Sequence, residues 1–215
     1  MKKAVCLTLT CLFFVVMIAA PALAKKAGEV KDDVYTDGTY KFSLKVPTGW
    51  SPTIKAEKFP LRLVLTQKSY PVPEQFQGNR DYAQIPTISV LVDTTSLSVE
   101  QFVDSLLDSK YKSKQKQFFV KNMPIIAKFH DVLKRSNVTA GDAKGLSLAV
   151  RQAYTVEVAQ SGSDMADVIQ DYKSGQILVI VRNGLVYVIH GICEYKLNSS
   201  YEPIFNGTFA SLKFE

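Results

Sequence analysis

Gln176-Ile177-Leu178-Val179-Ile180-Val181-Arg182-Asn183-Gly184-Leu185-Val186-Tyr187-Val188-Ile189-His190-Gly191-Ile192-Cys193 is the stretch that decides the fold. Two runs rich in β-branched residues flank Asn-Gly. A two-residue hairpin turn needs positive φ at both central positions, and Asn and Gly tolerate that best. The spacing therefore predicts antiparallel strands over Asp167 to Val181 and Leu185 to Cys193.

Upstream, His130 to Val138 and Leu146 to Ala159 flank Ala140-Gly141-Asp142-Ala143, a second hairpin. Further back the period changes. Ser98 with Gln101 forms a capping-box pattern, and Val99, Phe102, Val103, Leu106 and Leu107 follow at helical spacing. This predicts a helix to about Ser109. Lys110 to Val120 fits either helix or strand, and Asn122-Met123-Pro124 ends it. Thr87 to Val92 and Leu61 to Thr66 read as strands, joined by a proline-rich surface loop from Pro71 to Pro86. Tyr40, Phe42, Leu44 and Val46 alternate with Lys41, Ser43 and Lys45, which predicts a half-buried strand. It pairs with Val34-Tyr35-Thr36 across the turn Asp37-Gly38. Pro47 ends it, and Thr48-Gly49-Trp50 folds an indole back toward the sheet. Downstream, Tyr201 to Phe209 predicts a helix with Pro203 in its first turn. Leu212-Lys213-Phe214 is a closing strand or tail.

Strands joined by hairpins imply an α+β fold, a mainly antiparallel sheet with helices packed on its faces. No Pro- or Gly-rich linker divides the chain, so one domain is expected over 34–215. Lys25 to Asp33 reads as a flexible N-terminus. Residues 1–24 carry the three regions of a secretory signal peptide. Lys2 and Lys3 are basic, Leu12 to Ile18 is apolar, and Ala22-Leu23-Ala24 is a small-x-small cleavage site. Cleavage is expected after Ala24, giving a periplasmic or secreted protein. Cys11 precedes most of the apolar run, so lipid anchoring is not expected, nor is a transmembrane segment in the mature chain.

Two stretches carry a family resemblance. Tyr35-Thr36-Asp37-Gly38-Thr39-Tyr40-Lys41-Phe42-Ser43-Leu44-Lys45-Val46-Pro47-Thr48-Gly49-Trp50 resembles the opening of PsbP-like domains, where a Tyr/Phe-rich strand runs into Pro-x-Gly-Trp. The end, from Asn183-Gly184 through Tyr201, Phe205 and Phe209-Ala210-Ser211-Leu212-Lys213-Phe214, resembles the same family. The resemblance implies an antiparallel sheet between helices, an α/β/α sandwich. The family includes the photosystem II extrinsic protein, a Ran-binding nucleotide-release factor and bacterial periplasmic DcrB-like members. It has no shared catalytic set, so Tyr40, Phe42, Pro47, Gly49 and Trp50 carry over core and turn roles only.

The chemistry-bearing residues are sparse. Of three cysteines, Cys6 and Cys11 leave with the signal peptide, and Cys193 alone forms no internal disulfide. It reads as a small buried strand residue. His190 reads as a hydrogen-bonded strand histidine and His130 as a surface residue. Two separated His and one Cys make a weak metal site. Asp164, Asp167 and Asp171 lack the alternation of a calcium loop. No nucleophile elbow, Walker loop or dinucleotide fingerprint occurs. Catalytic residues, cofactors and metals are therefore not expected. The sequons at Asn137, Asn198 and Asn206 carry no glycan expectation, because the Met-Lys-Lys start looks bacterial.

Charge is the remaining signal. The full chain has a net charge of +6, with 26 basic and 20 acidic residues. Residues 110–135 hold Lys110, Lys112, Lys114, Lys116, Lys121, Lys128, Lys134 and Arg135 against Asp131 alone. One reading is a solvated connection. The other is a docking patch of Lys110, Lys112, Lys114 and Lys116, with Phe118 and Phe119 supplying apolar contact. Its partner would be an envelope protein or an anionic membrane surface, and not nucleic acid in an exported protein. The leading expectation is an exported, non-enzymatic protein-binding domain of the cell envelope. Two alternatives stand beside it. One is a periplasmic small-molecule-binding module with Pro71 to Pro86 as lid. The other is a hydrolase with an unrecognised site around His190.

Overall fold

The computed structural model describes residues 26–72, 85–108, 110–122, 131–159 and 166–215. The expected signal peptide, His130, Lys128, Asp164 and most of the Pro71 to Pro86 loop lie outside the described residues.

Strands β10 (Leu185–Glu194) and β9 (Ala166–Arg182) pair antiparallel across the Asn183-Gly184 turn, as their sequence predicts. Both turn residues sit at positive φ, 51° and 73°, the left-handed conformation that Asn and Gly accept most cheaply. Strands β8 (Ala143–Ala159) and β7 (Asp131–Ala140) extend the sheet on one side of β9. On the other side of β10 come β6 (Thr87–Thr94), β5 (Leu61–Gln67) and β4 (Trp50–Ile54). The seven-stranded order is β4-β5-β6-β10-β9-β8-β7.

The central strands are apolar at successive positions because both of their faces are covered. Leu178, Ile180, Tyr187 and Ile189 enter one core cluster, while Ile177, Val179, Val186 and Val188 enter the other. The second face is covered by helix α1 (Val99–Leu107), which contributes Val99, Phe102, Val103 and Leu106, and by Phe119 of helix α2 (Lys114–Asn122). The capping box of α1 is formed: Gln101 N donates to Ser98 Oγ at 3.2 Å and Ser98 N to Gln101 Oε1 at 3.0 Å.

The first face is covered by helix α3 (Asn198–Ala210) together with a second sheet. That sheet has the order β1-β2-β3-β11, from β1 (Glu29–Lys31), β2 (Val34–Asp37), β3 (Phe42–Lys45) and β11 (Lys213–Phe214). The architecture is therefore the expected α+β fold. Two expectations are corrected. The segment from Lys25 to Asp33 reads as loose in sequence, but from Lys26 it is tied down: β1 pairs with β2, Lys26 bridges to Ala56, and Ala27 is buried. Helix α3 also begins at Asn198, after a 3-10 turn at Tyr195–Leu197, so Pro203 falls inside it rather than in its first turn.

Phe205 packs flat over Gly191, where a Cβ would lie 2.5 Å from the ring. Trp50 begins β4 and lies edge-on to Phe205 and Tyr201. A fully buried ion pair joins the two sheets. Arg62 Nε donates to Asp37 Oδ2 at 2.8 Å, and Asp37 also accepts from the Tyr35 hydroxyl and from the N–H groups of Thr39 and Tyr40. The Arg62 guanidinium also donates to the carbonyls of Glu57 and Phe59, and it stacks over Tyr40.

Among the described residues β7 pairs with β8 as far as Arg151 and β10 with β9 as far as Lys173, and beyond these Gln152–Ala159 and Ala166–Tyr172 pair with each other.

Candidate functional site

The chemistry-bearing residues inside the fold are sealed by it. Cys193 is buried on the α3 face, and burial, with Glu194 and Glu202 nearby, pushes its thiol up to about 12. A thiol held that high is a poor nucleophile at neutral pH. His190 lies opposite Ser89 on β6 and Ile177 on β9. Burial alone pulls its imidazole down to about 3. The expectation of a hydrogen-bonded histidine is corrected at one nitrogen: Nε2 has no partner among the described residues.

Asp171 pairs with Lys196 at 3.1 Å, and burial followed by the Asp171 charge raises the Glu194 carboxyl. Burial, followed by the nearby charge of Glu194, raises the Tyr70 hydroxyl to about 12. Among the described residues no group of three or more His, Cys, Asp and Glu side chains gathers to hold a metal. An open hollow of about 600 Å³ lies between the N-terminal segment and the β4–β5 turn, lined by Lys26, Glu29, Thr36, Thr39 and Glu57 among others.

The basic segment is where charge reaches the surface, and the fold divides it. Arg135, on the edge strand β7, pairs with Asp104 of α1 at 2.7 Å. Asp131 pairs with Arg151 at 2.6 Å. Lys110 to Lys121 instead gather on α2 and the turn before it. This stretch carries five lysines and no acid. Lys110, Lys112, Lys114 and Lys121 are exposed, whereas the Lys116 amine donates to the Asp108 carbonyl and is half-buried.

The helix is held by three side chains. Phe119 is fully buried and meets Phe102 of α1 at 5.4 Å between ring centroids. Phe119 thus anchors the helix and offers no outward contact, unlike the docking role expected for it. Gln115 donates to Asp93 Oδ2 at 2.9 Å and to the Thr94 carbonyl at 2.7 Å, tying α2 to β6. Phe118 is half-buried and meets Phe59 edge-on at 5.2 Å. Lys114, Gln117 and Lys121 then share the outer face, at the i, i+3, i+7 spacing of one helical stripe.

Phe59 brings in what sequence reasoning missed. It sits in the β4–β5 turn with Lys58, more than fifty residues upstream, and is 42% exposed. Tyr111, in the turn before α2, is 43% exposed. The surface is thus composite: lysines from two segments interleaved with Phe59, Phe118 and Tyr111. Only contact across the fold reveals it. The one local signal was Lys58-Phe59-Pro60, an aromatic in a turn beside a cation.

No family model matches the chain, and no curated protein matches it in sequence. Among solved structures, the chain is similar to cyanobacterial PsbP (CyanoP) from Synechocystis sp. PCC 6803. The identity is 11%, covering 87% of this chain and 96% of that one, with a TM-score of 0.49. It is also similar to LpqN, involved in cell envelope biogenesis of Mycobacterium tuberculosis, at 14% identity over 80% of this chain and 82% of that one, with a TM-score of 0.43. A third similar structure is a point mutant of the protein Mog1, at 13% identity over 81% and 90% of the two chains, with a TM-score of 0.43. The first of these is a PsbP protein, of the family that the two ends of the sequence resemble. At these identities no residue role transfers to this chain.

Proposed function

We propose that this protein is an exported, non-enzymatic binding domain of the cell envelope. Its partner, an envelope protein or the anionic membrane surface, docks on α2 and the turn before it. Lys110, Lys112, Lys114 and Lys116 supply the charge and Phe118 part of the apolar contact. The observation that carries this reading is the way α2 is mounted. Phe119 and Gln115 are spent on anchoring it, while Lys114 and Lys121 stand outward on one face and Lys110 and Lys112 in the turn before it, with no acid among them. Export rests on the signal-peptide pattern at residues 1–24.

The test is cell fractionation with a Lys110→Gln/Lys112→Gln/Lys114→Gln/Lys116→Gln variant. The wild-type chain should fractionate with the envelope at low salt and wash off as salt rises, and the variant should stay in the soluble fraction. Unchanged fractionation of the variant at low salt defeats the reading. In-cell crosslinking of the tagged protein then identifies what α2 touches.

A further inference from the structure

We propose that the composite surface of α2 and the β4–β5 turn docks directly on an anionic lipid bilayer. This rests on the binding reading above and names the partner of that same surface. Two observations point to lipid rather than to an acidic protein.

The first is the choice of cation. Between residues 110 and 121 every charge is a lysine and none an arginine, and Lys58 adds one more. Arginine is the residue suited to bidentate pairing with a carboxylate on a protein surface. Lysine is a point charge on a flexible stem, suited to a diffuse sheet of phosphates. None of Lys58, Lys110, Lys112, Lys114 and Lys121 has a carboxylate at ion-pairing distance among the described residues. Their charge is therefore available to an outside field.

The second is the aromatic rim. Phe59 and Tyr111 are among the few large apolar side chains the described surface exposes, and both lie beside these lysines. Phe59 is at the tip of a turn, backed by Phe118. The Lys116 amine lies 6.0 Å from the Tyr111 ring centre. Aromatic rings flanked by long cationic stems settle at the headgroup boundary, ring in the acyl edge and amine among phosphates.

The test is vesicle co-sedimentation. The protein is expressed from the full sequence in an exporting host and purified as the cell processes it. It is offered phosphatidylcholine vesicles with and without phosphatidylglycerol. We expect binding only where phosphatidylglycerol is present, with affinity falling as salt rises. A juxtamembrane lysine contributes about a five-fold gain, so Lys110→Gln/Lys112→Gln/Lys114→Gln/Lys121→Gln should lose about several hundred-fold. The matching four-fold Lys→Arg variant should bind like wild type, which separates charge from misfolding. Phe59→Ser should weaken the binding that survives at high salt. Equal binding to both vesicles, or none to either, overturns the inference. If vesicles fail while the glutamine variant still loses its envelope association in cells, the binding reading stands and the partner is an acidic protein. If neither assay shows binding, both readings fall.

Discussion

Removing the charge of Asp37 should unfold this protein more effectively than emptying a comparable volume of its apolar core. Asp37 and Arg62 are both fully excluded from water. Asp37 holds Arg62 through Nε at 2.8 Å and Nη2 at 3.3 Å, and it accepts three further donors from Tyr35, Thr39 and Tyr40. Asp37→Asn keeps an oxygen for the turn N–H groups but strips the charge. The guanidinium is then left buried among the carbonyls of Glu57, Phe59 and Ala27. An uncompensated buried charge costs about 3–5 kcal/mol. Arg62→Met leaves the opposite charge stranded and should cost a similar amount. The double variant has no stranded charge. Its loss should be smaller than that of either single, because a buried pair replaced by neutral groups is often close to neutral overall.

The assay is urea unfolding followed by the fluorescence of Trp50, the only tryptophan in the chain, packed against Phe205 and Tyr201. With an m-value of about 2–3 kcal/mol/M, a loss of about 4 kcal/mol moves the midpoint down by about 1.5–2 M. Two results would refute the reasoning. One is single variants within about 1 kcal/mol of wild type, on the scale of an exposed ion pair. The other is a double variant whose loss is the sum of the singles, which would mean that the two side chains act independently.

His190 gives a pH prediction. Its imidazole is held down at about 3 by burial, so the unfolded chain takes up a proton first, at about 6.5. Its contribution is intact above about 6.5 and lost as pH falls toward 3. The wild-type chain should lose about 1.4 kcal/mol more per pH unit than His190→Leu between pH 6 and 4. Parallel stability curves for the two proteins would show that the ring is not sealed. Gly191→Ala should cost about 1–3 kcal/mol by driving Phe205 off β10, visible as a lower thermal midpoint and altered Trp50 emission. Cys193 should resist a thiol reagent in the native protein and react once urea unfolds it; rapid native labelling would contradict its burial. Lys134→Gln/Arg135→Gln should leave envelope association unchanged, since Arg135 is already paired with Asp104; a loss equal to that of the α2 variant would place the docking surface on β7.

The central sheet was legible because its signals are local. Asn183-Gly184 names its own turn type, and the alternation of Phe42, Leu44 and Val46 names a buried face. The capping box did the same for α1. What escaped depends on partners distant in sequence. Nothing in Glu29-Val30-Lys31 marks a strand until β2 lies beside it. No reading of the sequence assigns an element to Ser51-Pro52-Thr53, yet it lies in an edge strand, where the missing N–H of Pro52 is tolerated. Phe118 and Phe119 look equivalent in sequence, but the fold buries one against Phe102 and turns the other toward Phe59. The basic run reads as one patch from 110 to 135, but α1 takes up Arg135.

Helix α2 is a poor helix by its own chemistry, and that is informative. Its first turn carries Lys114 and Lys116 and no acid, whereas α1 has Glu100 in its first turn. Cations at a helix N-terminus oppose the helix dipole, at a cost of about 0.3–1 kcal/mol each when exposed. Nine residues of marginal propensity would not stay helical alone. The fold supplies the difference through Phe119, Phe118 and the Gln115 bonds to β6. Lys116 has a structural reason to be a lysine, since its amine bonds the Asp108 carbonyl, but Lys114 is exposed, and a sequence shaped by stability alone would place glutamate or aspartate there without disturbing any of those anchors. Lysine at 114 sets local preference against the global fold, and such conflicts concentrate where a surface is shaped by something other than stability. The same substitution supplies a measurement. Lys114→Glu should leave the chain as stable or more stable toward urea while weakening its hold on an anionic surface. A variant that loses stability and binding together would return α2 to a purely structural role.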